Sequence, residues 1–99
     1  MTSSPIDLSL VVAKDVRFGD ETLIVELLDG RTLTVPLGWY PRLAYGTPVE
    51  RANWQLIGRG RGIHWPDLDE DLAVEDFLVG RRSGESPESL HRWLEGRAK

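Results

Sequence analysis

Between Leu10 and Phe18 the apolar residues Leu10, Val12, Val16 and Phe18 recur at a period of two, interrupted at Lys14, which predicts a strand with one buried face. Thr22 to Leu28 is rich in residues that suit a pleated surface, and Asp29-Gly30 follows with the backbone freedom that a tight hairpin turn needs. Arg31 to Val35 then reads as the returning strand, with Leu33 and Val35 alternating against Thr32 and Thr34 until Pro36 ends it. Further on, Thr47-Pro48-Val49-Glu50 has the spacing of a capping box, with proline at the first helical position, and predicts a helix from Pro48. Val49, Ala52 and Leu56 would form its apolar side, Trp54 would lie off that side, and the glycines at 58, 60 and 62 would end it as a helix-to-strand connection.

Ile63-His64-Trp65 reads as a short strand stopped by Pro66. Val74, Phe77 and Leu78 have helical spacing and predict a short helix that stops at Gly80. Arg81 to Glu85 reads as a linker, after which Ser86 caps a helix from Pro87 to Gly96 whose apolar stripe is Leu90, Trp93 and Leu94. An isolated helix of that length is marginal in water, so the stripe is expected to dock, with a homodimer slightly favoured over the chain's own core. The expected architecture is α+β: a small antiparallel sheet of three to four strands with short helices in a domain over residues 1–80, then linker and C-terminal helix over 81–99.

Ninety-nine residues allow one hydrophobic core. The longest apolar run, Leu10 to Ala13, is far too short to span a membrane, and the absence of cysteine fits a reducing cytoplasm. The net charge of -4 opposes nonspecific attraction to nucleic acid or anionic lipid. That charge is localised: between Asp67 and Asp76 lie six acids and no base.

Three ordered blocks stand out: Val35 to Leu43, Glu50 to Trp54, and Gly62 to Leu72. Together they make the chain resemble a bacterial family of small proteins, the domain of unknown function 2442, from about Asp15 to Gly80. The resemblance implies a small α+β domain with an N-terminal antiparallel sheet, no established enzymatic activity, and in some members a neighbouring or fused partner. Some relatives are toxin–antitoxin components and some carry a C-terminal helix-turn-helix. The few residues after Gly80 suffice for one short helix and not for such a module, so direct DNA binding is not expected.

Candidate chemistry is sparse. Gly58-Arg59-Gly60-Arg61-Gly62 lacks the preceding strand and following helix of a phosphate-binding loop, and its arginines are expected to be solvated. A calcium loop starting at Asp67 would need glycine and glutamate where Leu72 and Leu78 stand, so no metal or other cofactor is expected; the acids are read as a turn in which an Asp caps the next helix. His64 with Asp67 or Asp69 offers a general acid/base pair, but no nucleophile accompanies it, and a half-buried structural histidine is the favoured reading. Trp65 and Trp39 are assigned to the core and Trp54, beside Arg51, to the surface.

The leading expectation is a noncatalytic protein-interaction module, antitoxin-like in the sense that the resemblance implies. Its partner is a protein with a basic face, met by Arg42, Arg51, Trp54, Asp67, Asp69, Glu70 and Asp71, with Arg59 and Arg61 flanking. The alternatives are a small-ligand or enzymatic pocket of His64, Trp54 and Asp67, and a nucleic-acid-associated regulator.

Overall fold

The computed structural model describes residues 11–98. It contains two three-stranded antiparallel sheets. The first has the order β1 (Ala13–Phe18), β2 (Thr22–Leu27), β3 (Thr32–Pro36); the second has β4 (Gln55–Ile57), β5 (Gly62–Trp65), β6 (Glu70–Ala73). Helices α1 (Pro41–Tyr45) and α2 (Pro48–Ala52) join the sheets, α3 (Val74–Val79) follows β6 directly, and α4 (Pro87–Arg97) closes the chain. The α+β class therefore stands, with two sheets where one was expected.

The core is where the two sheets and α3 meet. Leu23, Val25 and Leu27 alternate inward from β2, Ile63 and Trp65 from β5, and Val74 and Phe77 from α3, all buried. Tyr40, Leu43 and Leu68 fill the space between them. The edge of Phe18 meets the Trp65 ring at 6.4 Å, tying one end of β1 to the second sheet.

Several local expectations change. Leu10 lies outside the described residues. A bulge at Lys14 inserts one residue between the pairs Ala13↔Leu27 and Asp15↔Glu26, which reverses the side-chain phase of β1. Val11 and Ala13 are buried before it and Val16 after it, so Val12 and Val16 do not share a face. The hairpin loop has three residues, Leu28 to Gly30: Leu27 N–H donates to Arg31 O and Gly30, at φ 96°, N–H to Leu27 O. Leu28 is thereby out of the strand and exposed.

The capping box at Thr47 forms, with Thr47 Oγ1 accepting from Glu50 N–H at 3.1 Å and Glu50 Oε1 from Thr47 N–H at 2.8 Å. The helix it starts, α2, is only five residues long, and Leu56 belongs to β4. Its expected apolar side is the solvent side: Val49, Ala52 and Leu56 are exposed, whereas Trp54 packs partly buried against the core. Gly58 to Arg61 is the turn between β4 and β5, not a helix-to-strand connection. Gly60, at φ 87°, is pressed against β1, where an added Cβ would lie 2.9 Å from Ala13 O.

Trp65 is buried as expected, whereas Trp39 only packs against the core, with the Arg82 guanidinium 4.9 Å from its ring centre. Gly80, at φ 77°, ends α3 as expected, its N–H donating to Phe77 O. Ser86 caps α4 by accepting from Ser89 N–H. The segment before it is not a free linker: Ser83 N–H donates to Trp39 O at 3.1 Å, and Tyr40 donates its hydroxyl proton to Arg81 O at 2.7 Å.

The α4 stripe meets its own chain. Trp93 packs against the core between two guanidinium groups, Arg97 at 4.7 Å and Arg42 at 5.2 Å from its ring centre. Arg97 also forms a two-point ion pair with Glu50, at 2.7 and 3.0 Å, so one glutamate caps α2 and anchors α4. That double use holds the Glu50 carboxyl down to about 2, the Arg97 hydrogen bond being the largest cause and the Thr47 N–H the next.

Candidate functional site

The acidic stretch is divided among elements: Asp67 lies in the turn after β5, Asp69 precedes β6, Glu70 and Asp71 lie on β6, and Glu75 and Asp76 lie in the first turn of α3. On β5 and β6, Trp65 pairs with Glu70 and His64 with Asp71, so Glu70 points to the core side and Asp71 to the outer face. Asp71 Oδ1 contacts His64 Nδ1. Asp67 accepts from Asn53 Nδ2 at 2.9 Å, and Asp76 holds Arg81 at 2.6 Å. Asp69, left-handed at φ 50°, is 90% exposed and 3.5 Å from Arg42. No Asp caps α3, whose N-cap is Ala73. The carboxylates are therefore spread over a turn, a strand and a helix, most of them with partners in the chain.

Two clefts flank this sheet. The first, of about 580 Å³, runs between β6, Arg42 and the segment entering α4. Arg42 is committed there: it donates Nε to Glu85 Oε1 at 2.9 Å, Nη2 to Glu85 Oε2 at 2.5 Å and Nη1 to Asp69 O at 2.9 Å. This pair holds the Glu85 carboxyl below its ordinary range. Glu70, half-buried in the same cleft, is pushed up to about 7, because burial disfavours its charge more than Arg42 supports it. Tyr40, buried above Asp76 and Glu70, is pushed up to about 12. The cleft is a structural joint for α4 with one carboxyl group poised near neutrality.

The second is a groove of about 620 Å³ between β1 and α2, lined by Val16 to Asp20 on one side and Pro48, Arg51, Ala52 and Trp54 on the other. Its floor is set by the order of the first sheet, in which β1 is an edge. Gly19 N–H donates to Thr22 O and Leu28 N–H to Val12 O, so backbone groups of Arg17, paired with Ile24, face β2. By alternation the backbone N–H and C=O of Val16 and Phe18 face the groove, and among the described residues β1 has no strand partner on that side. On the opposite wall Arg51 is held by the end of α1, donating Nη1 to Leu43 O at 3.0 Å and Gly46 O at 2.5 Å, with its guanidinium 6.0 Å from the Phe18 ring centre. Trp65 Nε1 donates to Arg51 O, fixing this wall to the core.

Of the sequence-predicted residues, the groove unites Arg51 with Trp54, and the cleft unites Arg42, Asp69, Glu70 and Asp71. His64, Trp54 and Asp67 do not converge: Trp54 lines the groove, while His64 and Asp67 line neither space. The residues that sequence reasoning missed are Phe18 and Pro48 in the groove and Glu85 and Ser89 in the cleft. Phe18 carried a signal, since it is the aromatic that ends an edge strand.

The sequence model of the family described as "Protein of unknown function (DUF2442)" matches residues 13–83. The chain belongs to this family. Among solved structures it is similar to a protein of unknown function from Rhodospirillum rubrum, at 25% identity and a TM-score of 0.67, over 76% of this chain and 93% of that one. It is also similar in fold to the uncharacterized protein CV0863 from Chromobacterium violaceum, at 19% identity and a TM-score of 0.64, over 82% of this chain and 74% of that one. No curated protein matches. The DUF2442 match ends in the segment that precedes α4, so the two sheets and both walls of the groove fall inside it.

Proposed function

We propose that this DUF2442 chain is a noncatalytic protein-interaction module that receives its partner in the groove between β1 and α2. One observation carries the reading: a strand edge that no described residue pairs lies opposite a wall of Trp54, Pro48 and the Arg51 guanidinium. Aromatic and arginine side chains dominate the energetics of protein recognition, and an open edge offers hydrogen bonds to any extended chain. The separation of His64 from both spaces supports binding over catalysis. It also moves the recognition surface away from the acidic segment. Antitoxin-like function draws no support from the site or the relatives and is not part of the reading.

The test is affinity capture from an extract of the native host with the wild-type chain and two variants, Trp54→Ala in the groove and Val49→Ala on the exposed side of α2. The expected result is a partner retained by wild type and Val49→Ala and lost with Trp54→Ala. A partner retained equally by all three places recognition elsewhere and refutes the reading.

A further inference from the structure

We infer that the occupant of the groove is an extended peptide segment bearing a carboxylate, which adds to β1 as a new edge strand and pairs its carboxylate with Arg51. The inference rests on the interaction-module reading and specifies the chemistry of the partner.

The backbone argument comes from register. Val16 and Phe18 each direct one N–H and one C=O into the groove, spaced as an antiparallel or parallel strand requires. α2 and Trp54 wall the far side, so a segment that pairs with β1 lies between β1 and this wall.

The charge argument comes from Arg51. Among the described residues only Nη1 is used, on two carbonyl oxygens, and no carboxylate lies within ion-pair distance of this guanidinium. Arg17, by contrast, is already paired with Glu26 at 2.8 Å. A half-buried guanidinium whose own partners are neutral favours an incoming anion. The anion is a carboxylate and not a phosphate, since phosphopeptide sites cluster several uncommitted arginines, whereas of the two that line this groove Arg17 is already paired with Glu26 and Arg51 alone is left for the ligand. Phe18, Trp54, Pro48 and Ala52 supply apolar contacts for alternate side chains of the peptide.

The experiment selects binders of the full chain from two displayed random-peptide libraries, one with free and one with blocked C-termini. The best synthetic peptide of each is then titrated by fluorescence anisotropy. Selected peptides are expected to alternate apolar residues with at least one Asp or Glu, or to need a free C-terminus; the two libraries separate these sources of the carboxylate. Replacing that carboxylate with its amide is expected to weaken binding about tenfold or more, and Trp54→Ala by a similar factor. Amide hydrogen exchange gives the signature of strand addition: the peptide should slow Val16 and Phe18 and leave Arg17, already bonded to β2, unchanged. Binding that depends on Trp54 without protecting Val16 and Phe18, or without the carboxylate, overturns the inference and leaves the interaction-module reading intact. Binding indifferent to Trp54→Ala overturns both, and failure to enrich any peptide from either library overturns the inference.

Discussion

Glu70 makes folding stability depend on pH between the ordinary glutamate value and about 7. In the folded protein its carboxyl is pushed up to about 7 from 4.5, chiefly by burial, which Arg42 and the Asp71 N–H only partly offset, with smaller repulsions from Glu85 and Asp71 added. Between these values the folded state binds more protons than the unfolded one, so the protonated form contributes stability that is complete below about 4.5. That stability is lost as pH rises toward 7 and beyond. Glu50 acts in the opposite sense and in another window. Its carboxyl is held at about 2, so its contribution is present above the ordinary glutamate value and is lost as pH falls toward 2.

The perturbation that isolates the first effect is Glu70→Gln, which removes the charge while keeping an oxygen to accept the Asp71 N–H that Glu70 Oε1 now accepts at 3.2 Å. Glu70 retains some solvent access, so the full shift does not convert into stability. After screening, a gain of about 1–2 kcal/mol for the variant at pH 8 is expected, with no gain near pH 4. Urea unfolding of both proteins from pH 4 to 9 measures it. Parallel curves for wild type and Glu70→Gln across pH 4.5–7, or a variant less stable at pH 8, would show that the cleft does not disfavour the Glu70 charge.

Two further predictions concern packing. Gly60→Ala should lower stability by about 2–4 kcal/mol, since it forces a side chain onto a left-handed backbone and against Ala13 O, whereas Gly84→Ala, in open space, should change it by less than about 0.5; thermal melts of both decide this, and equal effects would refute the contact between the β4–β5 turn and β1. Trp93→Ala should cost about 1–2 kcal/mol by opening the stack between Arg42 and Arg97, with molar mass by light scattering unchanged. A halved mass with an unaltered melting temperature would instead assign the α4 stripe to a dimer.

The parts of the fold legible in the sequence were those fixed by local chemistry. Thr47-Pro48 with Glu50, Ser86-Pro87 and the Gly80 terminus all form as capping rules require, because each is satisfied by atoms a few residues away. What escaped was set by register and tertiary contact. Nothing local marks Lys14 as an inserted residue, yet its bulge decides which valines are buried. Glu70 and Asp71 read as part of a turn by composition, since strand propensity depends on what the strand pairs with; β5 supplies that partner. Likewise the apolar residues of α2 suggested a core-facing helix, but a five-residue helix has too few turns to impose a face, and Trp54 and Arg51 anchor the segment instead.

The same distinction governs the site. Arg51 and Trp54 were visible as an arginine and an aromatic close in sequence, but their significance depends on β1 being an edge, which only the pairing order reveals. Conversely, the most conspicuous sequence feature, six acids without a base, loses its unity once alternation sends Glu70 inward and Asp71 outward. The two acids on β6 face different environments: Asp71 contacts His64, and Glu70 is half-buried beside Arg42. The groove beside β1 keeps its unpaired backbone because the wall facing it is a helix and a tryptophan, which cannot complete a ladder. An extended chain can, and that difference makes this groove, more than the acidic strand, the place where a second polypeptide has something to gain.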